Sequence, residues 1–599
     1  MIAATESQLA DQFVRLCARL GLHESLHGVC HELLAGLEQG HVCLDLGRDP
    51  ERLAALGPLL HESSFVLCGN EITGRSVRPL VFFEDRLYLY RYFRYEQELA
   101  AFVRARLQRK PARPDPGTVV QLLDRLFPKA AEPTDLFNWR EQSIDRQRLA
   151  AALATTGSLL VISGGPGTGK TSTVARILKL LRAQNPESRV ALAAPTGKAA
   201  LRLRESLSRI GSESVTEEVS TLHRLLGRGK TGLRYRYDRE NPLAVDWLVV
   251  DEASMIDLPL LHATFAALPE AAGIILLGDH HQLASVEAGA VLGELCADGM
   301  GFHANFAREL MELYGAPAAV DELPLLGKDE RRTLPDALVV LEKIYRIDSG
   351  SQSLAGLAMA VRDGHGRRAL ELLKSSGSGR GQAGIRLVGN DQQGREELEQ
   401  ILEAVCAPFM AARTAPEALQ ALGKTQILCD TNHGPLGARR FNEIARGRLI
   451  GPRAAFQSDL PRGTPIMIRR NDYELGLFNG DTGVVFFDDD GAPPAAFFRE
   501  SDEDAVRRVP LALLPAFEAA FAMTVHKSQG SEFNDVILIL SGKNEALATR
   551  ELVYTAITRA RRSVTIFAEE NSLRNAIERQ TRRQMGLANM LRNEQPVVH

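Results

Sequence analysis

Short apolar runs alternate with amphipathic stretches through the middle of the chain. Four such runs are predicted strands: 158–163, 189–194, 246–250 and 273–277. The stretch 173–183, which follows the first run, has the 3.6-residue period of a helix. Apolar strands separated by helices are typical of parallel sheets covered on both faces. The pattern therefore predicts a doubly wound α/β lobe over about residues 119–345.

Further apolar runs predict a second lobe over residues 346–599. Its expected strands are 425–429, 535–540 and 563–568. Between them, over about 452–515, proline, glycine and aspartate separate short β-like runs, which predicts a small β-barrel inserted in this lobe. Residues 304–338 are charged and irregular, so we expect a surface insertion there.

We expect residues 1–118, which carry no nucleotide motif, to form a separate N-terminal domain. Within it, Tyr88, Tyr90 and Tyr92 alternate with other residues, a pattern that predicts a strand before a helix starting at Glu96. The tyrosines and neighbouring arginines have two interpretations. They form either a packed strand-to-helix corner or a surface that contacts bases or another protein.

The composition narrows the class of protein. The 599 residues carry a net charge of −4, so any contact with nucleic acid has to come from a local groove. The seven cysteines form no CxxC pair, so we expect them to be small buried residues and not metal ligands. Their odd number and lack of a disulfide framework favour a reducing compartment. The polar N-terminus does not resemble a signal peptide, and no apolar run reaches membrane-spanning length. We expect a cytoplasmic protein.

The segment GGPGTGKT, residues 164–171, matches the phosphate-binding loop GxxxxGK[ST] between a predicted strand and a predicted helix. Its glycines let backbone N–H groups face phosphate oxygens, and Lys170 supplies positive charge. Thr171 offers a hydroxyl to Mg²⁺. The residues expected to contact the nucleotide are Gly164, Gly165, Pro166, Gly167, Thr168, Gly169, Lys170, Thr171 and Ser172.

Acidic and amide side chains follow two other predicted strands. Asp251 is the expected second ligand of Mg²⁺, and Glu252 beside it can orient and deprotonate water. Gln282 can contact the terminal phosphate. Hydrolysis also requires positive charge against the transition state, for which Arg346 and Arg559 of the second lobe are the candidates.

These motifs occur together with others in a fixed order. They are Gln147, APTGKAA (194–200), STLHRLLG (220–227), VVDEAS (249–254), GDHHQLASVEAG (278–289), YR (345–346), NDYELGLFNGD (471–481), MTVHKSQGSEF (523–533) and YTAITRARR (554–562). The series resembles the superfamily-one helicases, and its phrases are similar to the RecD-like branch of that superfamily. The resemblance covers about residues 140–570, and the tyrosine-rich stretch before it extends the likeness toward the N-terminus.

The resemblance implies two RecA-like P-loop NTPase lobes, an SH3-like barrel in the second, and a mostly helical N-terminal domain that binds a partner. It assigns recognition of adenine to Gln147 and the arginine-finger role to Arg346 and Arg559. It also implies a DNA track of phosphate-binding side chains. The track residues are Pro195, Thr196, Thr221, His223, Asn471, Thr524, His526 and Lys527.

The implied function is an ATP- and Mg²⁺-dependent helicase that moves 5′ to 3′ on single-stranded DNA. It would act in the nucleoid-associated cytoplasm with RecB-like and RecC-like subunits on duplex ends, in double-strand-break repair by homologous recombination and in degradation of linear DNA. The sequence shows no second cluster of acidic residues for DNA cleavage, so no nuclease site is expected. Three alternatives stay open: a free-standing or relaxase-type helicase, an ATP-switched regulator that does not move on DNA, and a structural subunit with an inactive motor.

Overall fold

A computed structural model describes most of the chain. The described residues are 2–19, 21–69, 77–109, 114–128, 144–209, 219–227, 234–344, 351–375, 384–450, 460–472, 474–487, 493–499, 506–542 and 547–593. They form three parts in sequence order, with one insertion and a C-terminal segment that returns to the first two parts.

The N-terminal region combines four helices with a four-stranded sheet of order β1-β4-β3-β2. Its elements are α1 (Ile2–Arg19), α2 (His27–Glu38), β1 (Cys43–Asp45), α3 (Pro50–Glu62), β2 (Val66–Cys68), β3 (Leu80–Phe83), β4 (Arg86–Leu89) and α4 (Tyr90–Gln108). Leu26, Leu60 and Leu80 lie in the core between helices and sheet. The expectation of a strand through Tyr92 is wrong, because α4 already begins at Tyr90.

The first lobe is built on an all-parallel, six-stranded sheet of order β10-β5-β9-β8-β6-β7. Every residue of β5 and β9 is buried, because helices cover both faces. The elements are α5 (Pro116–Leu126), α6 (Arg146–Ala154), β5 (Leu159–Gly164), α7 (Lys170–Gln184), β6 (Val190–Ala194), α8 (Gly197–Arg209), β7 (Val219–Thr221), α9 (Leu222–Leu225), β8 (Trp247–Val250), α10 (Leu258–Ala266), β9 (Gly273–Gly278), α11 (Val291–Leu295), α12 (Ala304–Tyr314) and β10 (Leu338–Leu341).

The prediction that segment 304–338 is a surface insertion is wrong for both of its ends, which belong to the first lobe. Its first part is α12, whose Leu310 and Met311 are fully buried in the core of the first lobe. Its last residue, Leu338, begins β10, which pairs with β5. The segment therefore completes one edge of the sheet that carries the phosphate loop.

The second lobe has an all-parallel, five-stranded sheet of order β11-β20-β19-β12-β18. A five-stranded antiparallel sheet of order β16-β15-β14-β13-β17 is inserted between α17 and β18. The elements are α13 (Ser351–Arg362), α14 (Gly366–Ser375), β11 (Ile385–Val388), α15 (Gln392–Ala411), α16 (Ala415–Ala421), β12 (Thr425–Cys429), α17 (Ala438–Ile450), β13 (Pro465–Ile468), β14 (Thr482–Phe486), β15 (Ala495–Arg499), β16 (Val506–Pro510), β17 (Phe517–Ala519), β18 (Ala522–Thr524), β19 (Phe533–Ile539), α18 (Arg550–Ile557), β20 (Ala560–Phe567), α19 (Glu570–Glu578) and α20 (Leu587–Arg592).

The last described residues do not stay with the second lobe, which the sequence predicted to continue to residue 599. We call residues 579–593, which follow α19, the C-terminal strap. The strap packs its helix α20 against α4 and α11. The carbonyl of Gln584 accepts a hydrogen bond from the N–H of Val42 (2.8 Å), and Arg592 forms an ion pair with Asp298 (2.6 Å). The strap thus joins the N-terminal region to the first lobe.

Candidate active site

The phosphate loop lies at the carboxyl end of β5 and ends where α7 begins at Lys170. Gly167 and Gly169 have φ angles of 80° and 82°, in the left-handed region that favours glycine. A Cβ on Gly169 would also lie 2.3 Å from Nε2 of Gln147. The loop therefore needs glycine for its backbone angles and for its contact with a neighbour. Thr171 and Ser172 lie half-buried in the first turn of α7.

Gln147 is fixed against the outside of this loop. Asp145 caps α6 by accepting the N–H of Gln147 (2.8 Å), which places the glutamine side chain toward the loop. Its Nε2 donates to the carbonyl of Thr168 (2.9 Å), and its Oε1 accepts from Arg176 (3.1 Å). Both ends of the amide are thus engaged with protein groups, and the role of Gln147 in reading adenine stays a prediction.

Positive and negative charges meet at the mouth of the loop. The amine of Lys170 donates to the carbonyls of Gly164 and Gly165. The pKa of Asp251 is raised to about 6, because burial and the neighbouring Glu252 raise it more than Lys170 lowers it. A half-buried carboxyl group held near a lysine at a strand end suits a site that binds a cation and phosphates.

Asp279, at the end of β9, is a second carboxylate in this site, and it is buried. Burial opposes its ionisation, yet Lys170 and the two histidines His281 and His280 hold its pKa below the usual value. Its Oδ1 accepts from the N–H of His281 (3.1 Å), and its Oδ2 accepts from Nε2 of Gln282 (3.0 Å). The carboxylate therefore orients the amide that follows it.

Glu252 has an unusual backbone conformation for a side chain of its size. Its φ and ψ of 52° and 41° lie in the left-handed region, directly after β8. Its N–H donates to Oδ1 of Asp251 (2.8 Å), which stabilises the turn. Non-glycine residues in this conformation are sparse and cluster at functional sites.

Gln282 connects the two lobes. Its Nε2 donates to Asp279 of the first lobe, and its Oε1 accepts from the guanidinium of Arg559, which follows α18 in the second lobe. Arg559 is 3% exposed and also donates to the carbonyls of Ser531 and Thr555. Two of the residues predicted for catalysis are therefore in direct contact across the lobes.

A cleft of about 790 Å³ separates the lobes beside the phosphate loop. Its walls come from the loop, the end of β10 and, across from them, α13 and α18 of the second lobe. Among the lining residues are Gly165, Thr168, His281, Arg362 and Tyr554. Arg346, the other predicted arginine finger, lies outside the residues that the structure describes.

The predicted DNA-track residues of the first lobe follow two adjacent strands. Pro195 and Thr196 come directly after β6, and Thr196 caps α8 by accepting the N–H of Ala199 (3.2 Å). Thr221 ends β7, which pairs with β6, and caps α9. His223 lies two residues further, with its ring 6.3 Å from that of Tyr235.

Segments of the second lobe reach the same first turn of α8. A Cβ on Gly530, in the loop that holds His526 and Lys527, would lie 3.9 Å from Cβ of Ala199. In the inserted sheet, Asn471 accepts the N–H of Asn479 (2.7 Å) and shapes the loop that approaches α8. Thr524 ends β18, and Lys527 is paired with Glu518. Burial lowers the pKa of His526, and the positive charge of Arg583 lowers it further.

Sequence reasoning missed several residues of the cleft. Tyr554 of α18 is buried beside Asp279, and its hydroxyl would lie 2.8 Å from a Cβ on Gly165. His280 contacts the hydroxyl of Ser163 (2.6 Å), and its ring lies 3.9 Å from that of His281. Tyr554 is the first residue of the motif YTAITRARR, but no sequence signal assigns it a role, because its position beside Asp279 depends on the packing of the two lobes.

The described residues also show no membrane-spanning helix and no clustered metal ligands. In the described ranges, no helix combines the length and apolarity required to span a bilayer. The same ranges contain no cluster of three or more His, Cys, Asp or Glu side chains arranged to hold a metal ion. All seven cysteines are free, and six of them are buried, as the sequence predicted.

Two protein-family models match the chain. An AAA domain matches residues 147–288, and a UvrD-like helicase C-terminal domain matches residues 519–567. These matches cover the phosphate loop through the loop after Gln282 in the first lobe, and β18 through β20 in the second.

Known relatives match across most of the chain. The RecBCD enzyme subunit RecD of Mycolicibacterium smegmatis is 36% identical over 532 residues, 85% of this chain and 83% of that protein. The RecBCD enzyme subunit RecD of Haemophilus influenzae is 32% identical over 565 residues, 88% of this chain and 84% of that protein. The ATP-dependent RecD2 DNA helicase of Deinococcus radiodurans is 28% identical over 485 residues, 80% of this chain but 54% of that protein.

Proposed function

The chain belongs to the RecD family of ATP-dependent DNA helicases, and on that premise we propose that it is the 5′-to-3′ helicase subunit of a RecBCD-type helicase–nuclease. The observation that supports a working motor best is the contact of Gln282 with Asp279 on one lobe and Arg559 on the other. An inactive motor would not need to keep this buried polar network complete.

The phosphate loop would bind the phosphates of ATP through its N–H groups, the amino end of α7 and Lys170. Thr171 and Asp251 would hold Mg²⁺, whose charge neutralises the phosphate oxygens. The half-buried carboxyl of Asp251 fits this role, because a neighbouring cation would offset the desolvation and the repulsion from Glu252 that raise its pKa. Gln147 would contribute the adenine contact predicted for it.

Glu252 would orient the attacking water and accept its proton. Gln282 would contact the terminal phosphate, so its bond to Arg559 brings the arginine to the charge that develops on that phosphate. Arg346 would supply a second positive charge. Because Arg559 belongs to the second lobe, loss of the phosphate weakens the attraction between the lobes and lets them separate.

Movement along DNA would follow from the alternating grip of the two lobes on one strand. Thr196, Thr221 and His223 of the first lobe and Asn471, Thr524, His526 and Lys527 of the second are placed at strand ends and loops that meet near α8. Hydroxyl, imidazole and amine groups bind phosphates without reading bases, which suits a motor that has to step over any sequence. The inserted antiparallel sheet would serve as an SH3-like barrel over this track.

The subunit role is favoured over a free-standing helicase by the degree of sequence similarity. The chain is 36% identical to the RecD subunit of Mycolicibacterium smegmatis but 28% identical to the Deinococcus RecD2 helicase. We therefore expect RecB-like and RecC-like partners and action on duplex ends in recombinational repair. We predict that DNA cleavage belongs to a partner subunit.

Strand-displacement assays on two partial duplexes test the polarity. One substrate carries a 5′ single-stranded tail and the other a 3′ tail of equal length and sequence. The chain, with ATP and Mg²⁺, is expected to unwind the first at least about tenfold faster than the second. Equal rates, or a preference for the 3′ tail, would contradict the proposed polarity. Co-purification of the tagged chain at native level, with two large partners expected, separates the subunit role from the free-standing one.

A further inference from the structure

The loop after Gln282 passes from the first lobe into the second and back. We call residues 283–289 the sensor loop. Leu283 is buried in the core of the second lobe, its N–H donates to Thr555 (2.9 Å), and its carbonyl accepts from Gln529 (2.9 Å). Gly289 returns to the first lobe beside α10 and α11. Any relative movement of the lobes therefore acts on this loop.

One guanidinium of the C-terminal strap holds the far half of the sensor loop. Arg583 donates to the carbonyls of Ser285 (2.5 Å), Glu287 (2.9 Å) and Gly289 (2.7 Å). Three carbonyls around one guanidinium are a geometry that lysine cannot reproduce, because its amine is a single point on a flexible stem. The side chain of Val286, at the tip of the loop, stays 72% exposed.

The N-terminal region contacts the sensor loop and Arg583 from the other side. We call the contacts among Gly40, Arg583 and residues 285–289 the joint. The N–H of Gly289 donates to the carbonyl of Gly40 (3.0 Å). Gly40 has a φ of 84°, and a Cβ there would lie 2.5 Å from Cζ of Arg583. A side chain at residue 40 would therefore displace the guanidinium.

The strap passes from the second lobe to the N-terminal region and the first lobe within a few residues of Arg583. On the second-lobe side, the carbonyl of Arg579 accepts the N–H of Arg550 (2.8 Å), and the N–H of Thr581 donates to Glu551 (2.9 Å). Both partners lie in the first turn of α18, the helix that Arg559 follows. From Gln584 onward the strap is bonded to the N-terminal region and the first lobe. Only Arg582 and Arg583 lie between the two anchors.

We propose that Arg583 is a positioning residue that couples closure of the lobes on ATP to the sensor loop, and so makes ATP hydrolysis respond to bound DNA. Closure shifts α18 relative to the first lobe, and the short crossing transmits that shift to the guanidinium that holds residues 285–289. The same guanidinium lies close enough to His526 of the predicted DNA track to lower its pKa after burial has done so. The joint thus lies next to Gln282 of the predicted ATP site and within electrostatic range of His526 of the predicted DNA track.

This inference rests on the proposed helicase function, and its test compares two matched substitutions. Arg583→Lys keeps the charge but loses the three-carbonyl geometry. Arg592→Lys makes the same change in the same strap at an arginine that pairs with Asp298 and does not touch the sensor loop. Steady-state ATP hydrolysis by the full chain is measured with and without single-stranded DNA, together with KM for ATP and the melting temperature.

Arg583→Lys is expected to lower the DNA-stimulated kcat by about tenfold while the basal kcat and KM for ATP stay within about twofold. Arg592→Lys should keep wild-type stimulation. If the melting temperature of Arg583→Lys lies well below that of the wild type, Ser285→Ala is used as the test variant instead. This substitution removes the hydroxyl that donates to the carbonyls of Glu287 and Gly289 inside the same joint. Its expected effect has the same direction and is smaller.

DNA stimulation of hydrolysis within twofold of the wild type in Arg583→Lys would overturn the inference. An equal loss of stimulation in Arg592→Lys would also overturn it, because the strap would then have only a structural role. Absence of DNA stimulation in the wild-type chain would instead contradict the proposed function itself. The two failures are therefore distinguishable in one experiment.

Discussion

The side-chain amide of Gln282 connects the predicted ATP site with the second lobe. Gln282 is 7% exposed, and both ends of its side chain are engaged, with Asp279 and with Arg559. Buried polar groups are costly when they lose one partner, so a change at any of these three positions affects the others. The sequence could place Gln282 after one strand and Arg559 in the other lobe, but their contact required the fold.

Glu96 is a second buried group whose state depends on its surroundings. It is fully buried in α4 and accepts the N–H of Gly586 in the strap. Its pKa is raised to about 8, because burial and then Glu294 raise it more than Gly586, Tyr88 and Arg86 lower it. The protonated form is therefore the stable one in the folded protein near neutral pH.

We predict that Glu96 makes the protein less stable as the pH rises. Its stabilising effect is complete below pH 4.5 and is lost as the pH rises through about 8, because only the folded state holds the proton. Between pH 6.5 and 8.5 the loss amounts to about 2 kcal/mol.

Melting temperatures at these two pH values test the prediction. Glu96→Gln, which cannot ionise, should flatten the decline, whereas Glu98→Gln on the same helix should keep it. A decline in Glu96→Gln as steep as in the wild type would show that Glu96 is not responsible.

The elements that the sequence predicted best are the strands buried on both faces. Continuous apolar runs such as 158–163 and 273–277 have few alternatives to a central parallel strand, and β5 and β9 confirm them within a residue. The pattern from Leu87 to Tyr92 was too short to separate a period of 2 from a period of 3.6. The chain is helical from Tyr90 onward because Phe93, Leu99 and Val103 bury one face of α4.

The contact of the inserted antiparallel sheet with the first lobe has no sequence signal. Phe478, in the loop before β14, packs directly on Gly197, the first residue of α8. A Cβ at residue 197 would lie 2.4 Å from Cγ of Phe478. Lys198 of the same turn reaches the carbonyl of Gly480 (3.5 Å), and burial lowers its pKa to about 8.

Gly197→Ala should therefore push the inserted sheet away from α8. Overpacking at such a contact costs about 1–3 kcal/mol. Truncation of the facing ring in Phe478→Ala opens the space that the new methyl group needs. In the double variant the two effects should fall short of their sum by about 1 kcal/mol. Thermal unfolding of the two single variants and the double variant checks this, and strictly additive effects would mean that the two residues do not pack together.

At the scale of the whole molecule, the N-terminal region and the first lobe form one unit. The ring of Tyr95 in α4 lies 4.7 Å from that of His262 in α10, and His262 contacts Glu98 (2.7 Å). The tyrosine-rich stretch is thus used within the chain, which favours the packed corner over an exposed surface. The strap completes the unit through contacts between residues more than 480 positions apart, such as Gln584 with Val42, which no local pattern predicts.

In the part of the chain that the structure describes, the second lobe contacts this unit through pairs such as Gln282 with Arg559 and Leu283 with Thr555. The predicted ATP site and the sensor loop therefore both lie at the junction. This arrangement makes one claim central: hydrolysis needs Lys170 of the first lobe and Arg559 of the second at the same time, and DNA sets how often they act together.

The most direct measurement is the rate of ATP hydrolysis by the full chain at saturating single-stranded DNA, for the wild type, Lys170→Ala and Arg559→Ala. Both variants are expected to lose at least about a hundredfold in DNA-stimulated kcat. Circular dichroism of both variants should remain that of the folded wild type. Near-normal hydrolysis in Arg559→Ala, or in Lys170→Ala, would contradict a site built from both lobes.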